Sequence, residues 1–109
     1  LVLYKLLQDA GYQVVCYDPY VTDHPGVSCA KSLTEAIQGC QIIILATGHR
    51  VFARAEWTIL LRDNPRPLLF LDIRGATKPE DVLPVGEVIW WGWGHGIYTS
   101  ISRERNVDY

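Results

Sequence analysis

Apolar residues recur along this chain in two spacings, one typical of a helix and one typical of a strand. Near the start they follow the i, i+3, i+4, i+7 spacing of a single helix face, at Leu3, Leu6, Leu7 and Ala10. Gly11 comes next, in the place of a left-handed helix C-cap. The pattern therefore predicts an opening helix of about ten residues, followed by alternating strands and helices.

Short apolar runs predict the strands. Residues 13–17, 42–46 and 68–72 are nearly continuously apolar, as expected of parallel strands that are covered on both faces. Residues 88–91 predict a last strand, and residues 27–30 a very short edge strand. Prolines and glycines between residues 75 and 86 indicate a loop with one turn of helix at most.

Two more helices are predicted between these strands. Ser32 and Glu35 have the spacing of a capping box, in which each residue bonds a free amide at the helix start. The buried face of this helix is predicted from four residues: Leu33, Ala36, Ile37 and Cys40. The buried face of the next helix is predicted from four others: Phe52, Ala55, Ile59 and Leu60.

Alternating strands and helices predict the α/β class, with right-handed crossovers and a three-layer, Rossmann-like parallel sheet. Such a sheet normally begins with a central strand, whereas this chain begins with a helix. We therefore expect the sheet to lack its first central strand, which would lie between residues 13–17 and 42–46. We predict one domain over residues 1–96 and a polar tail over residues 97–109.

Composition narrows the function classes. Of 109 residues, 49% are hydrophobic and 20% charged, which predicts a globular chain. A net charge of −2 favours neither nucleic acid nor an anionic membrane as a partner, and no apolar run is long enough to span a bilayer.

Three cysteines without C-x-x-C spacing argue against a disulfide framework or a zinc site and favour the cytoplasm. The chain lacks both a start Met and the layout of a signal peptide, so we expect it to begin inside a longer protein.

Candidate binding residues follow the predicted strands. Ligands of open parallel sheets bind at the carboxyl ends of the strands, which here carry Asp18, Thr47, His49, Asp72 and Arg74. Arg74 is the strongest candidate, because its planar guanidinium suits phosphate or carboxylate. The alternative is a salt bridge from Arg74 to Asp72 or Asp18.

The other candidates have equally plain structural interpretations. His49 is expected to be a turn residue bonded to backbone, and Thr47 a satisfied hydroxyl at a strand end. Asp18 suits a turn cap better than a ribose ligand, because no glycine-rich loop precedes it. The aromatic stretch 90–93 either stacks on a base or sugar or, more commonly, packs in a core or an interface. The chain contains no G-x-G-x-x-G, Walker A or G-x-S-x-G motif and no cluster of metal ligands.

Taken in order, several segments resemble the C-terminal, UDP-binding domain of the UDP-glucose/GDP-mannose dehydrogenase family. The similar segments are L-x-x-x-G-x-x-V-x-x-Y-D-P at 7–19, S-L-x-E-A at 32–36, T-x-H-x-x-F at 47–52 and D-x-R at 72–74. Gln41 replaces the family's usual Asp, and tryptophans replace the expected residues at 86–94.

The resemblance implies part of an NAD-dependent UDP-sugar 6-dehydrogenase of polysaccharide biosynthesis, which oxidises a C6 hydroxyl to a carboxylate. It implies that this domain binds the UDP-sugar, through Arg74 above all, with Asp72, Thr47 and His49 nearby. It also implies that NAD and the catalytic Cys belong to other parts of the enzyme, so that this chain alone is not catalytic. The expected partners are the nucleotide sugar and either another copy of the chain or other domains of the enzyme. A stand-alone binding or regulatory module and a purely structural piece are the alternatives.

Overall fold

The computed structural model describes residues 2–20 and 25–101. The chain divides into two compact units, Leu1–Gln38 and Gly39–Tyr109. The predicted polar tail lies mostly outside the described residues, since residues 102–109 are not among them.

The first unit opens with α1, Val2–Asp9, as predicted. Gly11 has the expected positive φ of 97°, and the amides of Gly11 and Tyr12 donate to the carbonyls of Gln8 and Leu7 in a Schellman cap. The predicted apolar face is wrong, because Leu6 is 61% exposed and the residue buried in α1 is Tyr4. The Tyr4 hydroxyl accepts a hydrogen bond from the Ser28 amide at 3.1 Å, which explains why a tyrosine lies inward.

Residues 13–17 do not form the predicted strand. Cys16 alone makes a parallel β-bridge, and its partner is Cys29 within the predicted short strand at 27–30. The Cys16 amide donates to the Ser28 carbonyl, and the Ala30 amide donates to the Cys16 carbonyl, both at 2.8 Å. A continuous strand needs a partner along its whole length, and the described residues supply one only at Cys16.

The helix and the Ser32 half of its capping box are confirmed, whereas Glu35 bonds the amide of Lys31 and not that of the N-cap residue Ser32. α2 spans Leu33–Ile37, and the Ser32 hydroxyl accepts from the Glu35 amide at 3.1 Å. The Glu35 carboxylate reaches back to the Lys31 amide at 3.2 Å. The helix is short, and of its predicted buried face only Ile37 is fully buried.

The second unit is a four-stranded, mostly parallel sheet with helices, an α/β fold consistent with a Rossmann-like domain. Its strands are β1 (Ile42–Leu45), β2 (Leu68–Asp72), β3 (Val88–Gly92) and β4 (Gly96–Thr99), in that spatial order. The first three are parallel, and β4 pairs antiparallel with β3. The predicted α/β fold with a Rossmann-like parallel sheet is therefore confirmed, and β4 adds an antiparallel strand, beyond residue 96, that the sequence did not predict. The three-layer arrangement stays a prediction.

The long helix predicted after β1 is two short helices. α3 spans Arg50–Arg54 and α4 spans Trp57–Leu60, with extended backbone at Ala55 between them. The indole N–H of Trp57 donates to the Phe52 carbonyl at 2.8 Å, which satisfies an acceptor at the end of α3. The break changes the buried face, so that Phe52 is buried as predicted while Ile59 is 56% exposed.

The predicted helical turn after β2 is α5, Pro79–Val82, and a 3₁₀ turn over Leu83–Val85 follows it. Alternate residues of β2 and β3 are fully buried, and the residues between them are partly covered. Nearly inaccessible apolar side chains from the strands and helices form the core: Ile43, Leu45, Phe52, Trp57, Leu61, Leu68, Phe70, Val82, Val88 and Trp90.

Candidate functional site

Three strands of the second unit end at the same level. Leu45 of β1 pairs with Asp72 of β2, and Asp72 pairs with Gly92 of β3. The turns that follow these strands therefore lie side by side at one edge of the sheet. The Ile73 amide bonds the Leu45 carbonyl at 3.0 Å, and the Trp93 amide bonds the Asp72 carbonyl at 3.3 Å, which ties the three turns together.

Asp72 braces the loop that follows β2. The residue is fully buried, and its Oδ1 accepts from the amides of Arg74, Gly75 and Ala76 at 3.2, 2.9 and 3.1 Å. Its Oδ2 accepts from both the amide and the hydroxyl of Thr77 at 2.6 Å. A carboxylate with five donors is well stabilised away from water and has little capacity left for a ligand. The alternative of a salt bridge from Arg74 to Asp72 is not observed, and Arg74 contacts this carboxylate through its backbone amide.

Trp90 extends this brace into the core. Its indole N–H donates to the Thr77 hydroxyl at 3.1 Å, and that hydroxyl donates onward to Asp72. Trp90 is fully buried and Thr77 is 6% exposed. A Cβ added to Gly92 would approach three ring atoms of Trp90 closer than 3.0 Å, so only glycine fits there without a shift. The loop 73–77 is thus held from inside by a satisfied polar network.

Arg74 lies on the outer side of the same loop. Its side chain is exposed and has no hydrogen bond or ion pair within the described part of the chain. Ile73, Arg74, Gly75 and Trp93 line an open hollow with a volume of about 430 Å³. A guanidinium that no anion among the described residues neutralises, beside a hollow, is suited to bind an anionic group such as phosphate.

The tryptophan stretch divides between core and surface. Trp90 is fully buried, whereas Trp93 is 71% exposed and lies beside Arg74 in the hollow. The half-buried Trp91 meets Trp93 edge to face, with ring centroids 6.2 Å apart. The packing interpretation is therefore confirmed for Trp90, whereas stacking on a base or sugar stays a prediction for Trp93. Trp93 starts the turn into β4, so the glycine-rich hairpin signal at residues 92–96 was the pattern that could have placed it.

Thr47 and His49 belong to the turn after β1. A Cβ added to Gly48, between them, would stand 3.9 Å from the Arg74 Cβ, which brings this turn next to the hollow. Thr47 is exposed. His49 is half-buried, its carbonyl accepts from the Phe52 amide at 3.0 Å, and its ring lies 6.0 Å from the Phe52 ring.

Asp18 is a turn residue, as its structural interpretation predicts. Its Oδ1 accepts a hydrogen bond from the Tyr20 amide at 2.9 Å. Asp18 belongs to the first unit, and Asp72, Arg74 and Trp93 belong to the second.

Neither a metal site nor a membrane-spanning helix is found among residues 2–20 and 25–101. No group of three or more His, Cys, Asp or Glu side chains is placed to hold a metal ion. None of the helices in this part has the length and apolar character that crossing a membrane requires.

Comparison with known families gives a match over most of the chain. The UDP-binding domain of the UDP-glucose/GDP-mannose dehydrogenase family matches residues 1–79 of this chain. The matched segment includes the turn after β1 and the whole loop from Asp72 to Thr77, and it ends before Trp90 and Trp93. Neither the curated proteins nor the solved structures give a significant match.

Proposed function

Because the chain belongs to the UDP-glucose/GDP-mannose dehydrogenase family, by its match to the UDP-binding domain, we propose that it binds a UDP-sugar in the hollow beside Arg74. The observation that carries the proposal is the exposed Arg74 guanidinium, which no described side chain neutralises. A diphosphate supplies the oxygens that such a group binds through two parallel hydrogen bonds.

Trp93 is proposed to bind the base. Its indole is 71% exposed and lines the hollow together with Arg74. A flat uracil ring stacked on this indole would cover apolar surface on both groups, and such stacking contributes about 1–3 kcal/mol per base. The guanidinium of Arg74 would then bind the charged diphosphate, and the indole of Trp93 would bind the planar base.

The remaining candidates take supporting roles in this proposal. Thr47 and His49 are proposed as further polar contacts, because their turn adjoins Arg74 through Gly48. Asp72 is proposed as a positioning residue, since both its oxygens are engaged in holding the loop. Its substitution should therefore act on binding through the position of Arg74.

We further propose that the chain serves an NAD-dependent UDP-sugar 6-dehydrogenase of the cytoplasm, in polysaccharide biosynthesis, without being catalytic alone. Its sequence has no dinucleotide fingerprint, and none of its three cysteines matches the family's catalytic Cys. We therefore assign NAD binding and hydride transfer to other parts of the proposed dehydrogenase. Exposed apolar residues such as Ile97, at 71%, are consistent with self-association or packing against other domains.

Calorimetric titration of the full chain tests the nucleotide site. UDP and UDP-glucose should bind, whereas NAD should not. Arg74→Ala should weaken UDP by about 10- to 100-fold, the loss expected for charge-assisted hydrogen bonds. Arg54→Ala is the matched control, because Arg54 is an exposed arginine that does not line the hollow.

Inorganic pyrophosphate separates the two proposed contacts. Arg74→Ala should weaken both UDP and pyrophosphate, whereas Trp93→Ala should weaken UDP alone. Unchanged UDP affinity in Arg74→Ala, or binding of NAD in place of UDP, would contradict the proposal.

A further inference from the structure

The structure brings together two cysteines that the sequence pattern did not pair. Cys16 and Cys29 are direct partners in a parallel β-bridge, and both are half-buried free thiols. Directly paired residues on adjacent strands project from the same face, about 4.8 Å apart between backbones. Disulfides span Cα separations of about 4.4–6.8 Å, so the pair needs only a small local adjustment to be joined.

Hydrogen bonds hold the backbones of the two cysteines next to each other. The 2.8 Å hydrogen bonds on either side of the bridge fix Cys29 against Cys16, and the Tyr4 hydroxyl anchors the neighbouring Ser28 amide. Burial, and secondarily the nearby Cys29, raise the pKa of Cys16. The proximity of the two paired residues favours bond formation within the chain over attack on another molecule.

We propose that Cys16 and Cys29 are a thiol–disulfide site, which an oxidised low-molecular-weight disulfide such as glutathione disulfide converts into an intramolecular bond. One thiolate attacks glutathione disulfide and releases one glutathione thiolate. The second thiolate then attacks the protein sulfur of the mixed disulfide and releases the other glutathione. The protein loses two electrons and two thiol protons, and glutathione disulfide is reduced to two molecules of glutathione.

The bond would covalently fix the segment around Cys29 to Cys16. Two backbone hydrogen bonds hold this contact in the reduced protein, so the disulfide should stabilise the first unit most. Cys40 has no part in this site, since it belongs to the second unit. It therefore serves as an internal reference thiol.

Oxidation of the full chain in a glutathione buffer, followed by alkylation and peptide mapping, tests the proposal. We expect a crosslink between Cys16 and Cys29, an alkylated Cys40 and full reversal by a phosphine reductant. Cys40→Ser should form the same crosslink, whereas Cys16→Ser and Cys29→Ser should not form it. The oxidised chain should melt at a higher temperature than the reduced chain.

Denaturant supplies the control for chance pairing. Cys29 is separated from Cys16 and from Cys40 by similar lengths of chain, so the unfolded protein should form both crosslinks at comparable rates. A strong preference for Cys16 with Cys29 in buffer, lost in urea, would support the site. Equal pairing in buffer, stable glutathione adducts without a crosslink, or disulfide-linked dimers would each overturn it.

Discussion

The loop after β2 has two sides with opposite properties. On the inner side, Asp72, Thr77 and Trp90 are buried and joined by hydrogen bonds into one satisfied network. On the outer side, Arg74 and Trp93 are exposed and line an open hollow. We therefore propose that Asp72 acts chiefly on folding, and on binding only by positioning Arg74, which contacts the ligand. Substitutions on the inner side should change stability, and those on the outer side should change binding.

Asp72→Asn should have the largest effect on stability. The amide group has one oxygen to replace two, so either the amides of residues 74–76 or the two donors of Thr77 would face an NH₂ group. Hydrogen bonds to charged groups contribute about 1.5–3 kcal/mol each, so we expect a loss of about 3 kcal/mol or more in the free energy of unfolding. Denaturation followed by tryptophan fluorescence measures it, because all four tryptophans lie in the second unit. Asp63→Asn, an exposed control, should change it by less than about 0.5 kcal/mol.

Gly92→Ala should have the second largest effect on stability. The new methyl group would overlap the fully buried Trp90 ring, which cannot move without disturbing its bond to Thr77. Overpacking of this kind costs about 1–3 kcal/mol. The same measurement on Gly48→Ala provides the control, because its methyl group would stand at an ordinary 3.9 Å from Arg74 Cβ. Equal stability of the two alanine variants would show that the Trp90 contact does not constrain the fold.

Thr77→Val should have a smaller effect. The side chain keeps its shape but loses the hydroxyl, so Trp90 loses its acceptor and Asp72 loses one of five donors. We expect destabilisation of about 1–2 kcal/mol, with UDP affinity nearly unchanged. Thr58→Val, at an exposed position of α4, is the control. A tenfold loss of UDP affinity in Thr77→Val would mean that the two sides of the loop are not separable.

Alkaline pH should produce the smallest effect. Burial raises the pKa of the Cys40 thiol above its ordinary value of 9.0. The unfolded chain therefore releases this proton at lower pH than the folded chain, so the contribution of Cys40 to stability is fully present below about pH 9 and is lost as the pH rises above it. Cys40→Ser should lack this part of the fall when denaturation midpoints are compared between pH 7 and pH 10. An identical pH profile in the variant would remove Cys40 as a cause.

The sequence predicted β2 and β3 well because their partners are within the chain. Residues 42–46 and 13–17 show the same apolar pattern, yet the first becomes β1 beside β2 and the second makes one bridge at Cys16. An apolar run indicates that a segment can be covered, whereas strand formation also requires a neighbour for its backbone. The antiparallel β4 was missed for another reason: its side chains are all exposed, so the segment shows no alternation of apolar and polar residues.

The sequence predicted where the candidate site lies better than it predicted what each of its residues contacts. The carboxyl edge of the sheet, Arg74 and the adjoining turn of Thr47 follow from the strand order and the family pattern. The brace through Thr77, Trp90 and Gly92 did not follow, because it depends on side-chain contacts between segments distant in sequence. The sequence also did not predict which tryptophan of this stretch faces solvent, because that depends on the hairpin that joins β3 to β4.

Indole N–H resonances of the four tryptophans, followed by NMR while UDP is added to the full chain, test the two-sided loop most directly. Trp57 and Trp90 are buried in the core, and Trp93 lies in the hollow. We expect a large shift for Trp93, a smaller one for the adjacent Trp91 and none for Trp57 or Trp90, with all shifts strongly reduced in Arg74→Ala. Shifts confined to the buried tryptophans, or a Trp93 resonance that saturating UDP leaves unmoved, would contradict it.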